Sequence, residues 1–256
     1  MSKASENRQR ARERLARERA EAARRRRRNW WLAGSGAAAV IAAAVAIPLA
    51  LGGSGAGGAA AASLPLSPLG TLGTLRPAPA AGPAGAEGVP VPKAAALAGT
   101  AGKATGASVD GIGCSTNEQT LFHIHAHLTV FVNGVARQIP AGIGIPGARA
   151  QATAQGPFIV SGTCFYWLHT HVADGIIHIE SPVHRAYTLG QFFDEWRQPL
   201  GPSQVGPVRG HVTAIYNGKV FRGNPRAIPL TAHAQIQLQV GRPLVAPESI
   251  TWPSGL

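Results

Sequence analysis

The stretch FHIHAHLTVFVNG, residues 122–134, decides the fold. Ile124, Ala126, Leu128, Val130 and Val132 fall on one face of an extended chain. His123, His125, His127 and Thr129 fall on the other. A period of two is the mark of a half-buried β-strand. Asn133-Gly134 follows, the strongest short signal for a type I′ hairpin turn, so Val135 to Ile139 reads as the returning strand.

Working outward, the same grammar recurs. Phe165 to Val172 leads into Asp174-Gly175, and Ile176 to Glu180 returns, a second hairpin. Residues 188–197 read as a short helix, with Thr188 as N-cap and Gln191 three residues on. Leu189, Phe192, Phe193 and Trp196 form its apolar stripe. HVTAIYNGKVF at 211–221 repeats the strand, Asn-Gly, strand layout. Ala234 to Val240 alternates, with Ile236, Leu238 and Val240 inward and Gln235, Gln237 and Gln239 outward. The expected class is α+β, mainly β: one sheet, one short helix and a His-rich hairpin. Ile124, Leu128, Val130, Ile236 and Leu238 should share a core with Phe192, Phe193 and Trp196.

The remainder of the 256 residues has a different composition. The net charge of +12 is concentrated at the start, where residues 1–28 carry 12 Lys/Arg against 4 Glu. The high pI therefore describes a tail, and no nucleic-acid partner is expected. Trp30 to Leu51 is an uncharged run of 22 residues, enough to cross about 30 Å of hydrocarbon. Trp30 and Trp31 suit an interfacial belt, and the basic residues ahead of it place the N-terminus in the cytoplasm. The expected organisation is a basic cytoplasmic tail (1–28), a single-pass membrane anchor (29–51), a disordered tether (52–108) and an extracytoplasmic domain (109–256). The rival to the anchor is a signal peptide cut near Ala60 to Ser63. A buried soluble helix is the third reading of that run. The tether follows from an Ala, Gly and Pro composition whose only charges are Arg76, Glu87, Lys93 and Lys103. Such a chain has too little apolar surface to offset its own conformational entropy.

Cys114 and Cys164 are the only cysteines. Outside the cytoplasm an even pair reads as a disulfide. The alternative is that both are thiolate ligands of a metal.

The histidines carry the chemistry. Six of nine lie between 123 and 178. A two-residue loop at Asp174-Gly175 would set His171 opposite His178 and His169 opposite Glu180, all on one side of the hairpin. Directly opposed side chains are close enough to share an ion. The candidate ligands are therefore His123, His125, His127, His169, His171, His178 and Glu180. Imidazole suits Zn, Cu, Ni and Fe. The only methionine is Met1, so a thioether-rich Cu(I) site is excluded, and copper or zinc is the first choice. Two other readings stand beside this one: solvated histidines on an exposed face, and a pH switch built on crowded imidazolium groups. Isolated His184, His211 and His233 read as structural or surface residues. Glu180 could serve as general base beside a metal-bound water, as a ligand, or as an orienting partner. The HxHxH run lacks the aspartate of an HxHxDH hydrolase, and no Ser-His-Asp arrangement is legible. The expected function is a membrane-anchored metal-binding module. The alternatives are a metal-dependent oxidoreductase or hydrolase, and a metal-free envelope scaffold or adhesion domain.

Two resemblances bear on this. The order strand, hairpin, strand, helix, strand, hairpin, strand, strand resembles the β-grasp layout of ubiquitin-like sulfur carriers over 122–139 and 188–240, with 140–187 as an insertion. Those carriers end in Gly-Gly, whereas Gly241 here is followed by Arg242 and the chain runs on to Leu256, so no carrier role is implied. The segments HIHAHL (123–128), IPAGIGI (139–145), WLHTH (167–171), GIIHIESP (175–182) and TLGQFF (188–193) resemble a family of prokaryotic membrane-anchored or secreted His-rich proteins. That resemblance spans about 114–256. It implies one coherent domain and supplies no activity.

Overall fold

The computed structural model of the protein describes residues 63–256. The basic tail and the apolar run at 29–51 lie outside the described residues. Among those described, no helix is long and apolar enough to cross a membrane.

The strands are β1 (Leu66–Ser67), β2 (Cys114–Ser115), β3 (Phe122–Val132), β4 (Val135–Arg137), β5 (Arg149–Thr153), β6 (Gly156–Ser161), β7 (Phe165–Tyr166), β8 (Leu168–His169) and β9 (Ile176–Ser181). Then come the helix α1 (Leu189–Trp196), β10 (Leu200–Gly201), β11 (Gln204–Val205), β12 (Val208–Arg209), β13 (Val212–Tyr216), β14 (Lys219–Phe221) and β15 (Ala234–Val240). The main sheet has the order β1-β14-β13-β15-β3-β9-β8, with β4 also on β3. β3 and β15 run parallel, which makes the sheet mixed. The long β3 serves two partners along one edge: Phe122 to His127 pair with β9, and Val130 to Val132 pair with β4. The domain is thus mainly β with one short helix, as the residue pattern indicates.

Both Asn-Gly turns have the backbone that a type I′ turn requires. Asn133 and Gly134 sit at φ 50° and 77°, and Asn217 and Gly218 at 47° and 73°. The helix begins where Thr188 caps it: Gln191 Oε1 accepts from the Thr188 N–H at 3.0 Å. It ends at Arg197, which adopts a left-handed conformation at φ 59°. One face of the helix packs under the sheet. Leu128, Val130, Ile236 and Leu238 share one buried cluster with Phe192, Phe193 and Trp196, and Ile124 packs at its margin.

The second hairpin differs from its expected register. Asp174 is not among the residues with positive φ; of the Asp174-Gly175 pair only Gly175, at φ 94°, has one, so this is not a type I′ turn. Asp174 Oδ1 instead accepts from the Ile176 N–H at 3.1 Å. After His169 the chain leaves β9: the Thr170 N–H donates to Ile143 O at 3.1 Å, and Ile159 N–H donates to His171 O at 3.1 Å. The observed partners are Leu168 with Ile179 and His169 with His178, two positions from the expected pairing. His169 therefore does not face Glu180, and His171 lies beyond the paired strand. Gly175 has no room for a side chain, since a Cβ there would lie 2.3 Å from Leu128 O.

The far face of the sheet is not left to solvent, which corrects the reading of the glutamines as outward. Gln237 and Gln239 are buried. Gln239 Oε1 accepts from Val245 N–H at 2.7 Å, Gln237 Oε1 from Glu248 N–H at 2.9 Å, and Gln235 Oε1 from Ile250 N–H at 3.0 Å. This ladder of side-chain amides holds the C-terminal segment much as a strand edge would.

Residues 63–108 are likewise not a free tether, and 52–62 lie outside the described residues. Val89, Leu97 and Ala104 are buried. Leu66 and Ser67 pair with β14. Leu97 N–H donates to Gln138 O at 2.9 Å, Ala104 N–H to Glu195 O at 2.8 Å, and Trp196 Nε1–H to Gly99 O at 2.9 Å. The segment has too few apolar residues to build a core, but it needs none because it borrows the core of the domain. The folded unit therefore begins well before the expected boundary at 109.

Candidate metal site

The site grows from three pieces of backbone. β3 presents His123 and His125. β9 pairs beside it and sets His178 directly opposite His125, and Glu180 opposite His123. β8 adds His169 opposite His178, and the turn after it brings His171. Among the described residues, three groups offer ligand atoms all within 4.8 Å of one another: His123, His125, His178 and Glu180; His169, His171 and His178; and Glu118, His169 and Glu180. These groups could hold a metal ion.

The nitrogens converge. His123 Nε2 lies 3.1 Å from His125 Nε2, and His125 Nε2 lies 3.2 Å from His178 Nδ1. His169 Nε2 lies 3.1 Å from His171 Nε2. Two backbone carbonyls settle the state of that last pair. His169 Nδ1–H donates to Tyr166 O at 2.8 Å, and His171 Nδ1–H donates to Ile159 O at 2.6 Å. A carbonyl can only accept, so each neutral ring carries its proton on Nδ1 and aims a bare Nε2 lone pair at the other. Two acceptors at that distance repel unless something positive lies between them.

Burial keeps His125, His169 and His171 neutral. Desolvation, with the neighbouring His178 and His123, pushes His125 down to about 3. Desolvation, then the His178 and His171 rings, hold His169 well below its ordinary value. His171 is lowered by burial and by His178, against the pull of its carbonyl partner. His178 is the exception. Burial pushes it down, but hydrogen bonds to Glu180 and Glu87 outweigh that and bring it up to about 9. Its Nε2 meets Glu87 Oε1 at 2.6 Å and its Nδ1 meets Glu180 Oε1 at 3.3 Å.

Of the seven residues singled out in the sequence, six fall within these groups. His127 does not. It is buried, and its Nε2–H donates to Asp174 O at 2.9 Å beneath the turn. It follows His125 on the same strand face, but there β3 pairs with Ile176 and no further histidine stands opposite. His184 packs against Phe122, and His233 stacks on Trp252 and donates to Leu256 O at 3.0 Å, so both are structural. The two cysteines form a disulfide and are not ligands. It ties the strand before β3 to the residue before β7.

Two carboxylates escaped the sequence reading. Glu118 Oε1 lies 3.4 Å from His171 Nε2, and Glu87 holds His178. Glu87 had one signal: it is the only acidic residue of 52–108. Beside the cluster is a cavity of about 330 Å³ lined by Glu118, His123, His125, His171, His178 and Glu180. Glu180 Oε2 and Glu87 Oε2 are buried without a hydrogen-bond partner. Comparison with protein-family models, with curated proteins and with solved structures finds no match in any of the three.

Proposed function

We propose that the protein is a metal-binding domain held outside the cytoplasm by the apolar run at 30–51, and that the His/Glu cluster takes zinc or copper. The observation that carries this reading is the His169–His171 pair. Two imidazole nitrogens bound to one tetrahedral ion at 2.0–2.1 Å stand about 3.3 Å apart. The two bare Nε2 atoms stand 3.1 Å apart, each ring fixed by a carbonyl behind it. That backing is how metal-binding histidines are usually oriented. The disulfide supports an oxidising compartment. The single-pass topology and the resemblance to prokaryotic membrane-anchored or secreted His-rich proteins belong to the same proposal. So does the β-grasp-like reading of the fold, which draws support from the strand order β4-β3-β15-β13-β14 with its parallel central pair.

A second reading, a metal-dependent oxidoreductase or hydrolase, is favoured by the cavity beside the cluster, which gives a small substrate or water access to it. A metal-free scaffold would have no need of buried, converging imidazoles.

The test is a calorimetric titration of the full chain with Zn(II) and with Cu(II). The expected result is tight binding of at least one of them, lost by more than about 100-fold in His169→Ala/His171→Ala and unchanged in His233→Ala. Absence of binding by both metals would overturn the proposal.

A further inference from the structure

We infer that the cluster is built for two ions, with Glu180 as the carboxylate bridging them; this rests on the metal-binding reading above. Seven side chains fall in the three groups, more than the four to six ligands one ion takes. They also divide naturally. One set is His123 Nε2, His125 Nε2, His178 Nδ1 and Glu180 Oε1, whose atoms converge from β3 and β9. The other is His169 Nε2 and His171 Nε2 with Glu118, whose Oε1 is 3.4 Å from His171 Nε2.

Glu180 belongs to both neighbourhoods. Its Oε1 is 3.1 Å from His123 Nε2, and it also groups with Glu118 and His169. Its Oε2 is buried with no partner, which is costly for a carboxylate oxygen unless a cation or donor reaches it. A carboxylate whose Oε1 meets the first histidine set, whose Oε2 is unsatisfied and which also groups with His169 suits a bridge between two cations. His178 stands between the pairs, its ring centroid 4.6 Å from those of both His125 and His171. Glu87 holds its Nε2–H, which turns Nδ1 toward the first set; an ion there would replace the Nδ1 proton.

The experiment is the zinc content of the full chain after loading and exhaustive dialysis, with Cu(II)-loaded samples examined by electron paramagnetic resonance. Two zinc ions per chain are expected, with one in His125→Ala and one in His169→Ala. Glu118→Gln alters a largely exposed side chain and so keeps the fold; it should weaken only the second ion. Two Cu(II) ions on a shared carboxylate should give a spin-coupled signal that becomes that of an isolated ion in either histidine variant. One ion in the wild type, lost in both histidine variants, would overturn the two-ion inference and leave the metal-binding reading standing. No retained ion with either metal would remove both.

Discussion

His178 Nε2 meets Glu87 Oε1 at 2.6 Å across 91 residues of chain, with both side chains buried. The contact joins the segment 63–108 to the centre of the histidine cluster, so one residue links the wrapping of the domain to its chemistry. Glu87→Ala should lower metal affinity by about 10–100-fold, the usual effect of losing the partner behind a ligating histidine. Glu87→Gln keeps an acceptor for the Nε2–H and should lose less. Equal affinity in wild type and Glu87→Ala, read by calorimetry, would show that the contact does not orient His178.

The disulfide closes a loop of 50 residues. Constraining such a loop in the unfolded chain is worth about 4 kcal/mol by loop entropy. The double variant Cys114→Ser/Cys164→Ser should lose stability of that order in denaturant unfolding. A loss below about 1 kcal/mol would mean that the reduced unfolded chain already holds β2 and β7 together.

Leu128 is fully buried between the sheet and α1. Leu128→Ala should cost about 2–5 kcal/mol, the range for a core leucine replaced by alanine. The variant tests packing alone, since Leu128 lies on the face of β3 away from the histidines, and its metal stoichiometry should be unchanged under conditions where it remains folded.

Glu195 offers a pH test away from the histidine cluster. It is fully buried on α1, and both carboxylate oxygens lack partners. Burial first, then the Asp110 and Asp194 carboxylates, raise its pKa well above the ordinary 4.5, with Arg185 pulling the other way. Because the folded state holds this proton more tightly, stability is fully present below the unfolded pKa. It is lost as pH rises from there through the folded pKa. Glu195→Gln has no such proton to lose. The melting temperature of the variant relative to wild type should therefore climb between pH 4 and pH 7. A difference that is flat across that range would place the carboxylate in a solvated or paired setting.

What could be read from the sequence was what local pattern encodes. The alternation of FHIHAHLTVFV fixed both the core face and the histidine face of β3. The Asn-Gly pairs marked turns because few other residues tolerate two successive left-handed conformations, and Thr188 with Gln191 marked the helix start. What escaped depends on long-range partners. The segment around Glu87 has no periodicity of its own, because its order comes from a core made elsewhere. The glutamines of β15 alternate as solvent-facing residues would, yet they bind the backbone of 245–250. The register of the second hairpin lies two positions from the one the Asp-Gly dipeptide implies, because Asp174 builds its turn through a side-chain hydrogen bond that the dipeptide alone does not reveal. His127 shares the face of His125, but Ile176, the first residue of β9, stands opposite it where His178 stands opposite His125.

The most direct measurement is diffraction from zinc-soaked crystals of the protein, with data collected on both sides of the zinc absorption edge. Metal binding at the cluster predicts an anomalous peak within bonding distance of His169 Nε2 and His171 Nε2. The two-ion arrangement predicts a second peak beside His123 Nε2, His125 Nε2 and His178 Nδ1. Well-ordered histidines with no anomalous density at either place, at zinc concentrations that fill ordinary sites, would contradict the metal-binding reading.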